Sequence, residues 1–288
     1  MFYRFIKIFL LALFIGPLLI FTPSCNLINP DEEVPSYIKI ESISLSTEYA
    51  IQGSSSHKIV DAWLYVDNNP IGVYQLPCVV PVLEKGPHTV NIIPGVLLNG
   101  ISATHLSYPF YKNIARTVEL KQGEIVLIDT CHTIYYESDT FPLIEDFENG
   151  ITYFNDTTLA TTNVANEVFE GSKSGKVRIA NGQTNFEIKS LPIELPNAGV
   201  PVYLEMNYKC DIAFTAGLEI EDFFGNKIEN SIIRLNAKSE WNKIYIELAP
   251  TIGSVSNGYK YSLIFGTERT ETPEAYIYFD NIKVVHFK

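Results

Sequence analysis

Basic residues are few in this chain. Its 288 residues include 21 Lys and Arg against 33 Asp and Glu, a formal net charge of −12. Arg4 and Lys7 lie in the first 24 residues, which contain no acid, so 19 basic and 33 acidic residues remain, a formal charge of −14. A surface this acidic repels phosphates, which excludes nucleic acid as a partner.

The sequence also lacks the motifs that mark common enzymes. It contains no His-Glu-x-x-His, no G-x-x-x-x-G-K-S and no G-x-G-x-x-G pattern. Residues 171–175 (GSKSG) place Lys173 where a nucleophile elbow needs serine. The five histidines are scattered singly, and nothing marks one pair among the 33 acids for glycoside hydrolysis. We therefore expect no enzymatic activity and no required cofactor.

Cysteine is scarce, and its spacing does not indicate a zinc site. The four cysteines form no C-x-x-C or Cys/His cluster with metal-ligand spacing. Cys78 and Cys131 could form a disulfide in an oxidising compartment. Alternatively, these two and Cys210 are buried thiols that pack as small hydrophobes, which is the interpretation we favour.

The N-terminus has the layout of a secretory signal. A short basic segment precedes 14 apolar residues, 8–21. A membrane-spanning helix needs roughly 20 such residues, and Gly16-Pro17 would interrupt a helix here. A basic segment, an apolar segment and then small residues are typical of a signal peptide.

The end of that segment indicates a lipid anchor. Residues 22–25 (TPSC) resemble the lipobox of bacterial lipoproteins, in which cleavage before the cysteine is followed by lipidation of its thiol. The resemblance implies a signal peptide at 1–24 and a membrane anchor at Cys25. The alternatives are an ordinary signal peptide with an incidental cysteine, or an uncleaved anchor.

An acidic tether follows the lipobox. Residues 25–36 contain two prolines and three consecutive acids at 31–33 and should be extended. Acids placed after the lipidated cysteine resemble the surface-export signal of Bacteroidota lipoproteins. This resemblance implies an outer-membrane protein exposed on the cell surface, and a plain solvated tether facing the periplasm is the alternative.

The body of the chain reads as all-β. After the signal peptide, no segment of twelve residues keeps a helical period. Short alternating or apolar runs, broken by turn residues, favour a sandwich over a parallel sheet with helices. Such runs occur at 37–45, 62–66, 89–93, 116–120 and 125–128.

The first part of the body resembles a known β-module. Residues 66–72 (VDNNPIG), with a turn at 67–70, and residues 83–90 (LEKGPHTV) resemble PEGA-type and related immunoglobulin-like modules. These modules usually serve as surface or periplasmic scaffolding. The resemblance implies an immunoglobulin-like β-sandwich over 37–136.

The second part, 143–288, resembles a different sandwich. Its anchors are residues 144–150 (IEDFENG), 170–177 (EGSKSGKV), 240–246 (EWNKIYI) and 275–284 (AYIYFDNIKV). Their order resembles the jelly-roll carbohydrate-binding modules and the wider galactose-binding-like superfamily. The expected fold class is therefore all-β, an immunoglobulin-like β-sandwich followed by a jelly-roll β-sandwich. Fold alone does not imply sugar binding.

The same resemblance implies a structural Ca²⁺ site. In such jelly rolls the first and last strands are adjacent, and an acid from each often meets backbone carbonyls around one Ca²⁺, a cation that takes six to eight oxygens. The matching acids are Glu145, Asp146, Glu148 and Asp280. In the alternative interpretation, Asp280 merely hydrogen-bonds at the strand crossing.

Strand alternation identifies candidate glycan contacts. In residues 202–210, alternate side chains face the core, which places Tyr203, Glu205 and Asn207 on the other face. The same alternation leaves Tyr245 on the outer face of its strand. Exposed aromatic rings beside polar side chains would form a sugar platform. The alternative, which is the more common case for each of the four, is an ordinary residue on the outer face of a strand.

Two further segments are candidates for recognition. Phe223-Phe224 precede a turn at Gly225-Asn226 and could form an exposed tip. Residues 96–111 are unusually apolar for a connection and include Tyr108, Phe110 and Tyr111. If exposed, these three would contact a partner protein, and the alternative is a loop folded over its own core.

Together these features predict a non-enzymatic outer-membrane lipoprotein that acts as a binding or accessory subunit of an outer-membrane protein complex. A free-standing glycan-binding surface lipoprotein is the alternative. Two observations favour the complex. Few aromatic residues can be assigned to an outer face, where a glycan would bind, and the apolar segment with Tyr108, Phe110 and Tyr111 indicates a partner protein.

Overall fold

The structure is a computed structural model, and it describes residues 32–129, 131–196, 199–255, 258–270 and 273–288. The predicted signal peptide, Cys25 and most of the acidic tether lie outside the described residues. Within those ranges, no helix is long and apolar enough to cross a membrane.

Strands β1 to β10 and a short helix, α1, form the first domain in the described residues. They are β1 (Ser36–Ile40), β2 (Ser44–Ser46), α1 (Tyr49–Gln52), β3 (Asp61–Val66), β4 (Asn69–Gln75), β5 (Cys78–Val82), β6 (Gly86–Leu97), β7 (His105–Ser107), β8 (Ile114–Leu120), β9 (Ile125–Ile128) and β10 (His132–Ile134). One sheet has the order β5-β1-β9, and the other has the order β4-β3-β6-β7 with β8 also paired to β6. Strands β2 and β10 form a separate parallel pair.

The core of the first domain lies between its two larger sheets. Ile38 and Ile40 of β1 alternate with exposed or half-buried neighbours and share one buried cluster with Leu64 of β3 and Ile92 of β6. Burying each such side chain contributes roughly 1.5–3 kcal/mol. The turn predicted after Val66 is present, with Asp67 and Asn68 at φ 46° and 67°, a backbone region that Asn and Asp tolerate.

Strands β11 to β20 and the short helix α2 form the second domain. They are β11 (Asp139–Glu145), β12 (Leu159–Thr162), β13 (Ser174–Ile179), β14 (Asn185–Lys189), β15 (Val202–Cys210), β16 (Phe214–Asp222), β17 (Lys227–Leu235), β18 (Lys238–Glu247), α2 (Ala249–Gly253), β19 (Gly258–Glu268) and β20 (Ala275–Phe287). A six-stranded sheet has the order β12-β13-β20-β15-β18 with β11 paired to β20, and a four-stranded sheet has the order β14-β19-β16-β17.

The two sheets of the second domain enclose one large apolar core. Leu204 and Met206 of β15 and Ile246 of β18 point into it, as the alternation predicts. The rings of Phe265 and Phe279, one from each sheet, lie 5.0 Å apart at its centre. The predicted all-β class with two successive sandwiches, the second a jelly roll, is confirmed.

The stretch between the domains is largely structured. The two sequence patterns end at 136 and begin at 143, and between them β11 begins at Asp139 and pairs antiparallel with the end of β20. Among the described cysteines, Cys78, Cys131 and Cys210 are free thiols, and the last two are buried. The Sγ of Cys210 lies 3.6 Å from the Asn236 carbonyl oxygen.

Candidate functional site

The predicted glycan platform lies under the first domain. Tyr203, Glu205, Asn207 and Tyr245 do lie on the face opposite the jelly-roll core, and Tyr203 and Tyr245 join a separate apolar cluster there. All four side chains are buried, with exposed fractions of 0–3%. The expectation that they face solvent is therefore wrong, and the structure leaves them no surface on which a sugar could stack.

The loop predicted to contact a partner covers this platform. Tyr108, Phe110 and Tyr111 are at most 1% exposed. The ring centroid of Tyr108 lies 5.3 Å from that of Tyr203 and 4.9 Å from that of Tyr245. The prediction of a contact with an external protein at these three residues is wrong. Each apolar patch is removed from water by the other, so neither is available to an outside ligand.

A buried charge cluster lies within this interface. Glu205 accepts hydrogen bonds of 2.8 Å from the hydroxyls of Tyr108 and Tyr135, and its Oε2 lies 3.2 Å from Lys243 Nζ. Burial acts to raise the pKa of Glu205, but the charges of Lys243 and Lys283 and the two tyrosine hydroxyls outweigh it, so the pKa lies below its usual value. Glu205 is thus a structural anion between the domains.

Lys283 joins the same cluster to the first domain. Its Nζ donates hydrogen bonds of 2.6 Å and 2.8 Å to the carbonyl oxygens of Gln52 and Ser54. Burial lowers the pKa of Lys283 to about 7, against the attraction of Glu205. Asn207 is also tied to the first domain, since its Oδ1 accepts a 2.9 Å hydrogen bond from the Ser56 hydroxyl.

The first pair of predicted calcium ligands is satisfied by protein donors. Glu145 is buried and accepts backbone N–H bonds from Phe147, Thr152 and Tyr153 at 3.2, 2.6 and 2.8 Å. Asp280 accepts a 2.5 Å bond from the Ser174 hydroxyl and a 2.8 Å bond from its neighbour's N–H. This arrangement is the strand-crossing role that was the alternative for Asp280.

The second pair is engaged in the same way. Asp146 accepts a 2.8 Å hydrogen bond from the Tyr49 hydroxyl, and Glu148 accepts one of 2.8 Å from the Ser172 N–H. Across the described ranges, no three His, Cys, Asp or Glu side chains come together as metal ligands. The four carboxylates do not fit a Ca²⁺ site here, because each faces hydrogen donors instead of converging with other oxygens.

The outer face of the four-stranded sheet carries a groove of about 370 Å³. The residues that line it all belong to the second domain, and their polar members include Asn185, Thr215, Glu229, Ser231 and Arg234. No exposed aromatic side chain is among the described residues that line it. The groove therefore offers hydrogen-bonding and charged groups more than stacking.

Two glycines keep the strands of this sheet close together below the groove. A Cβ on Gly217 would lie 2.4 Å from the backbone oxygen of Asn230 on β17, and a Cβ on Gly266 would lie 3.0 Å from that of Phe186 on β14. The sequence reasoning missed this site. A glycine inside an otherwise regular strand, which often marks a close backbone approach, was the available signal.

A network of ion pairs continues the same face toward the β16–β17 turn. Lys189 bonds to Glu219 at 2.9 Å and to Glu229 at 2.5 Å, and Lys227 bonds to Glu219 at 2.6 Å. Burial acts to raise the pKa of Glu219, but its two lysine partners lower it below the usual value. Glu219 is 7% exposed, so the pairs around it fix the side chains of three strands.

An aromatic tip ends this sheet, as predicted for Phe223-Phe224. Phe223 is 70% and Phe224 is 85% exposed. The ring of Phe223 stacks on that of Tyr259 with 4.9 Å between centroids. We call Phe223, Phe224 and Tyr259 the aromatic tip, and it is the most exposed group of aromatic side chains in the described residues.

Comparisons with known proteins give remote structural likenesses. No protein-family model matches the chain, and no curated protein matches it. A xylan-binding CBM22-1 domain from Paenibacillus barcinonensis is similar at 15% identity and a TM-score of 0.39, covering 53% of this chain and 98% of that one.

Two further solved structures are similar at the same level. A carbohydrate-binding module of the β-sandwich superfamily, with promiscuous specificity, has 12% identity and a TM-score of 0.39 and covers 88% of this chain and 99% of its own. The enzymatically active domain of tailspike protein 4 from bacteriophage CBA120 has 15% identity and a TM-score of 0.36. That match covers 51% of this chain and spans 19% of the tailspike chain.

Proposed function

We propose that the second domain binds a glycan across the outer face of its four-stranded sheet. The groove on this face carries the proposal, because it is lined by second-domain residues alone and is not closed by the first domain. The outer face of the six-stranded sheet, which carries Tyr203, is covered by Tyr108 and Phe110 of the first domain. The four-stranded sheet is therefore the broad face that is left for a ligand.

The side chains along the groove suit a ligand rich in hydroxyl groups. Glu229 and Arg234 offer charge-assisted hydrogen bonds, and Thr215 and Ser231 offer hydroxyls.

Binding without catalysis remains our proposal for the activity. The aromatic tip lies at one end of the sheet and could stack on an apolar sugar face there.

The second candidate function is that of an accessory subunit of a protein complex, with the protein contact at a different place from the one that the sequence predicted. Tyr108, Phe110 and Tyr111 are inside the molecule, so they cannot hold a partner. The observation that still favours a protein contact is the aromatic tip, where Phe223 and Phe224 expose large apolar side chains. We rank glycan binding first because the groove offers a shaped polar site.

We further propose that the protein acts from the outer membrane, anchored through Cys25 and exposed on the cell surface. The support is the resemblance of residues 22–25 to a lipobox and of the acids at 31–33 to a surface-export signal. Cys25→Ser should release the protein from membranes and abolish labelling by a radioactive fatty acid. Unchanged membrane fractionation of this variant would contradict the anchor.

A glycan array probed with the purified protein tests the main proposal. Ser231→Tyr fills the groove from an exposed position, and Thr117→Tyr makes the same change on the exposed face of the first domain. We expect the glycans bound by the natural protein to be lost with Ser231→Tyr and kept with Thr117→Tyr. An empty array, or equal binding by both variants, would contradict glycan binding in the groove.

A further inference from the structure

A partly enclosed pocket of about 290 Å³ lies where the two domains meet. The first domain contributes Lys58 and the turn that contains Asn99, Gly100 and Ile101. The second domain contributes residues around the β17–β18 turn and along β18. This pocket is separate from the buried aromatic interface, although Tyr245 borders both.

Positive charge is concentrated in this pocket. Its lining includes Lys58, Arg234, Lys238 and Lys243, and no Asp or Glu is among the described residues that line it. The chain as a whole has a formal net charge of −12. A local cluster of like charges in an acidic protein costs free energy unless an anion compensates it.

The cations of the pocket are poorly compensated by the protein. Arg234 and Lys238 make no ion pair or side-chain hydrogen bond within the described part of the chain, and Lys58 Nζ donates only to the neutral Asn242 Oδ1 at 2.5 Å. Lys243 is 5% exposed, and its Nζ is paired with Glu205 Oε2 at 3.2 Å, so the poorly compensated charges of the pocket are those of Lys58, Arg234 and Lys238.

The pKa of Lys58 agrees with an excess of positive charge. Burial lowers the pKa of this lysine, and the charge of Lys238 lowers it further. An oxyanion between these two side chains would oppose both effects.

The uncharged lining indicates which class of anion would fit. Asn99, Asn236 and Asn242 provide amide groups, and the side chains of Ile101 and Ile233 provide apolar wall. A sugar acid presents the complementary groups, namely a carboxylate, several hydroxyls and an apolar ring face. Ligand pockets begin at roughly 300 Å³, so this volume suits a single monosaccharide unit.

We propose that the pocket between the domains binds the carboxylate of an acidic sugar, such as a hexuronic or sialic acid. The site would be formed by both domains, which gives the contact between them a function beyond stability. Arg234 borders the groove as well as the pocket, so one glycan could occupy both. The inference rests on the proposed function for the sugar, while binding of the oxyanion depends on the pocket alone.

Calorimetric titration of the full chain with D-glucuronate, D-glucose and inorganic phosphate tests this proposal. The double variant Lys58→Gln/Lys238→Gln removes two pocket charges, and Lys85→Gln/Lys121→Gln removes two exposed charges of the first domain. We expect glucuronate to bind, glucose and phosphate to bind at least tenfold more weakly, and the pocket variant to weaken glucuronate about tenfold or more. The control variant should match the natural protein.

Three outcomes would overturn the proposal. Glucuronate does not bind, or it binds the pocket variant as tightly as the control. Phosphate binds as tightly as glucuronate and displaces it, in which case the pocket is an inorganic anion site. The proposal for the groove can fail independently of this one. Neutral glycans that no longer bind to Ser231→Tyr should still bind to the Lys58→Gln/Lys238→Gln variant.

Discussion

Tyr108 donates a 2.8 Å hydrogen bond from its hydroxyl to Oε1 of Glu205, a carboxylate with no exposed surface. Tyr108 belongs to a loop of the first domain, and Glu205 lies on β15 of the second. The sequence patterns predict two separate sites for these residues, a protein contact at Tyr108 and a glycan contact at Glu205. Their contact shows that both sites are halves of one internal interface, so the two domains act as a single structural unit.

Glu205→Gln should strongly destabilise the protein. The substitution keeps the shape of the side chain but removes the negative charge of Glu205, leaving Lys243 without its ion-pair partner and Lys283 without the attraction of that carboxylate. Breaking a buried ion pair by removing one partner costs about 3–5 kcal/mol. Urea unfolding followed by fluorescence measures the loss.

Glu119→Gln on the exposed face of β8 provides the matched control and should change the free energy of unfolding by less than about 0.5 kcal/mol. Equal stability of the two variants would show that Glu205 is not the buried anion we describe.

Phe110→Ala should uncouple the two domains. Phe110 is fully buried, and its ring centroid lies 4.7 Å from that of Phe287 and 5.8 Å from that of Tyr203. Deleting such a ring costs about 3–5 kcal/mol, and here the loss falls on the interface between the domains. Calorimetry should show one transition for the natural protein and two for the variant.

Phe214→Ala removes a ring from the jelly-roll core and serves as the comparison. It should lower the melting temperature. In limited proteolysis of this variant, the interface between the domains should become accessible only when the whole protein unfolds. If Phe110→Ala also melts in one transition, the domains are held together by other contacts.

Strand alternation was sufficient to predict which side chains of β15 and β18 face the jelly-roll core. It could not show what covers the opposite face, because Tyr203 and Tyr245 are buried by the loop that contains Tyr108, which lies 95 and 137 residues earlier in the chain. An outer face looks the same in sequence whether solvent or another domain lies over it. The apolar character of residues 96–111 correctly indicated an interface, and only the partner was wrong.

The groove and the basic pocket could not be predicted for a related reason. Arg234 and Lys238 flank the β17–β18 turn of the second domain, and only the docking of the two domains brings Lys58 of the first domain to the same cavity. Asp280 has the strand-crossing role that was the alternative to a calcium ligand, and the sequence did not show that Ser174 would donate to it. Local patterns carry the fold, while these sites depend on contacts between distant segments.

Gly217→Ala should destabilise the four-stranded sheet. The new Cβ would lie 2.4 Å from the backbone oxygen of Asn230, so β17 would have to move away from β16. Overpacking of this kind costs about 1–3 kcal/mol. Gly266→Ala adds the same methyl group at 3.0 Å from the Phe186 oxygen and should cost less. Chemical unfolding of both variants checks the order, and a larger loss for Gly266→Ala would contradict it.

Asp280 should make stability fall as pH rises through the mildly acidic range. Burial raises the pKa of this carboxyl from 3.8 to about 7, although hydrogen bonds from Ser174 and Asn281 act in the opposite direction. The folded protein therefore keeps this proton up to about pH 7, while the unfolded chain releases it near pH 4. Between these values unfolding releases a proton, so the contribution of Asp280 to stability is complete below pH 4 and declines toward pH 7.

Asp280→Asn should remove that contribution to the pH dependence. The amide stays uncharged throughout, so the free energy of unfolding of the variant should fall less steeply between pH 4.5 and 7.5 than that of the natural protein. Urea unfolding at several pH values measures both slopes, and Glu119→Gln, an exposed acid, should leave the slope unchanged. The carboxyl of Asp139 also has its pKa raised to about 7 by burial, so a slope should persist in the variant. Identical slopes for Asp280→Asn and the natural protein would mean that Asp280 is ionised in the folded state and that its burial does not hold the proton.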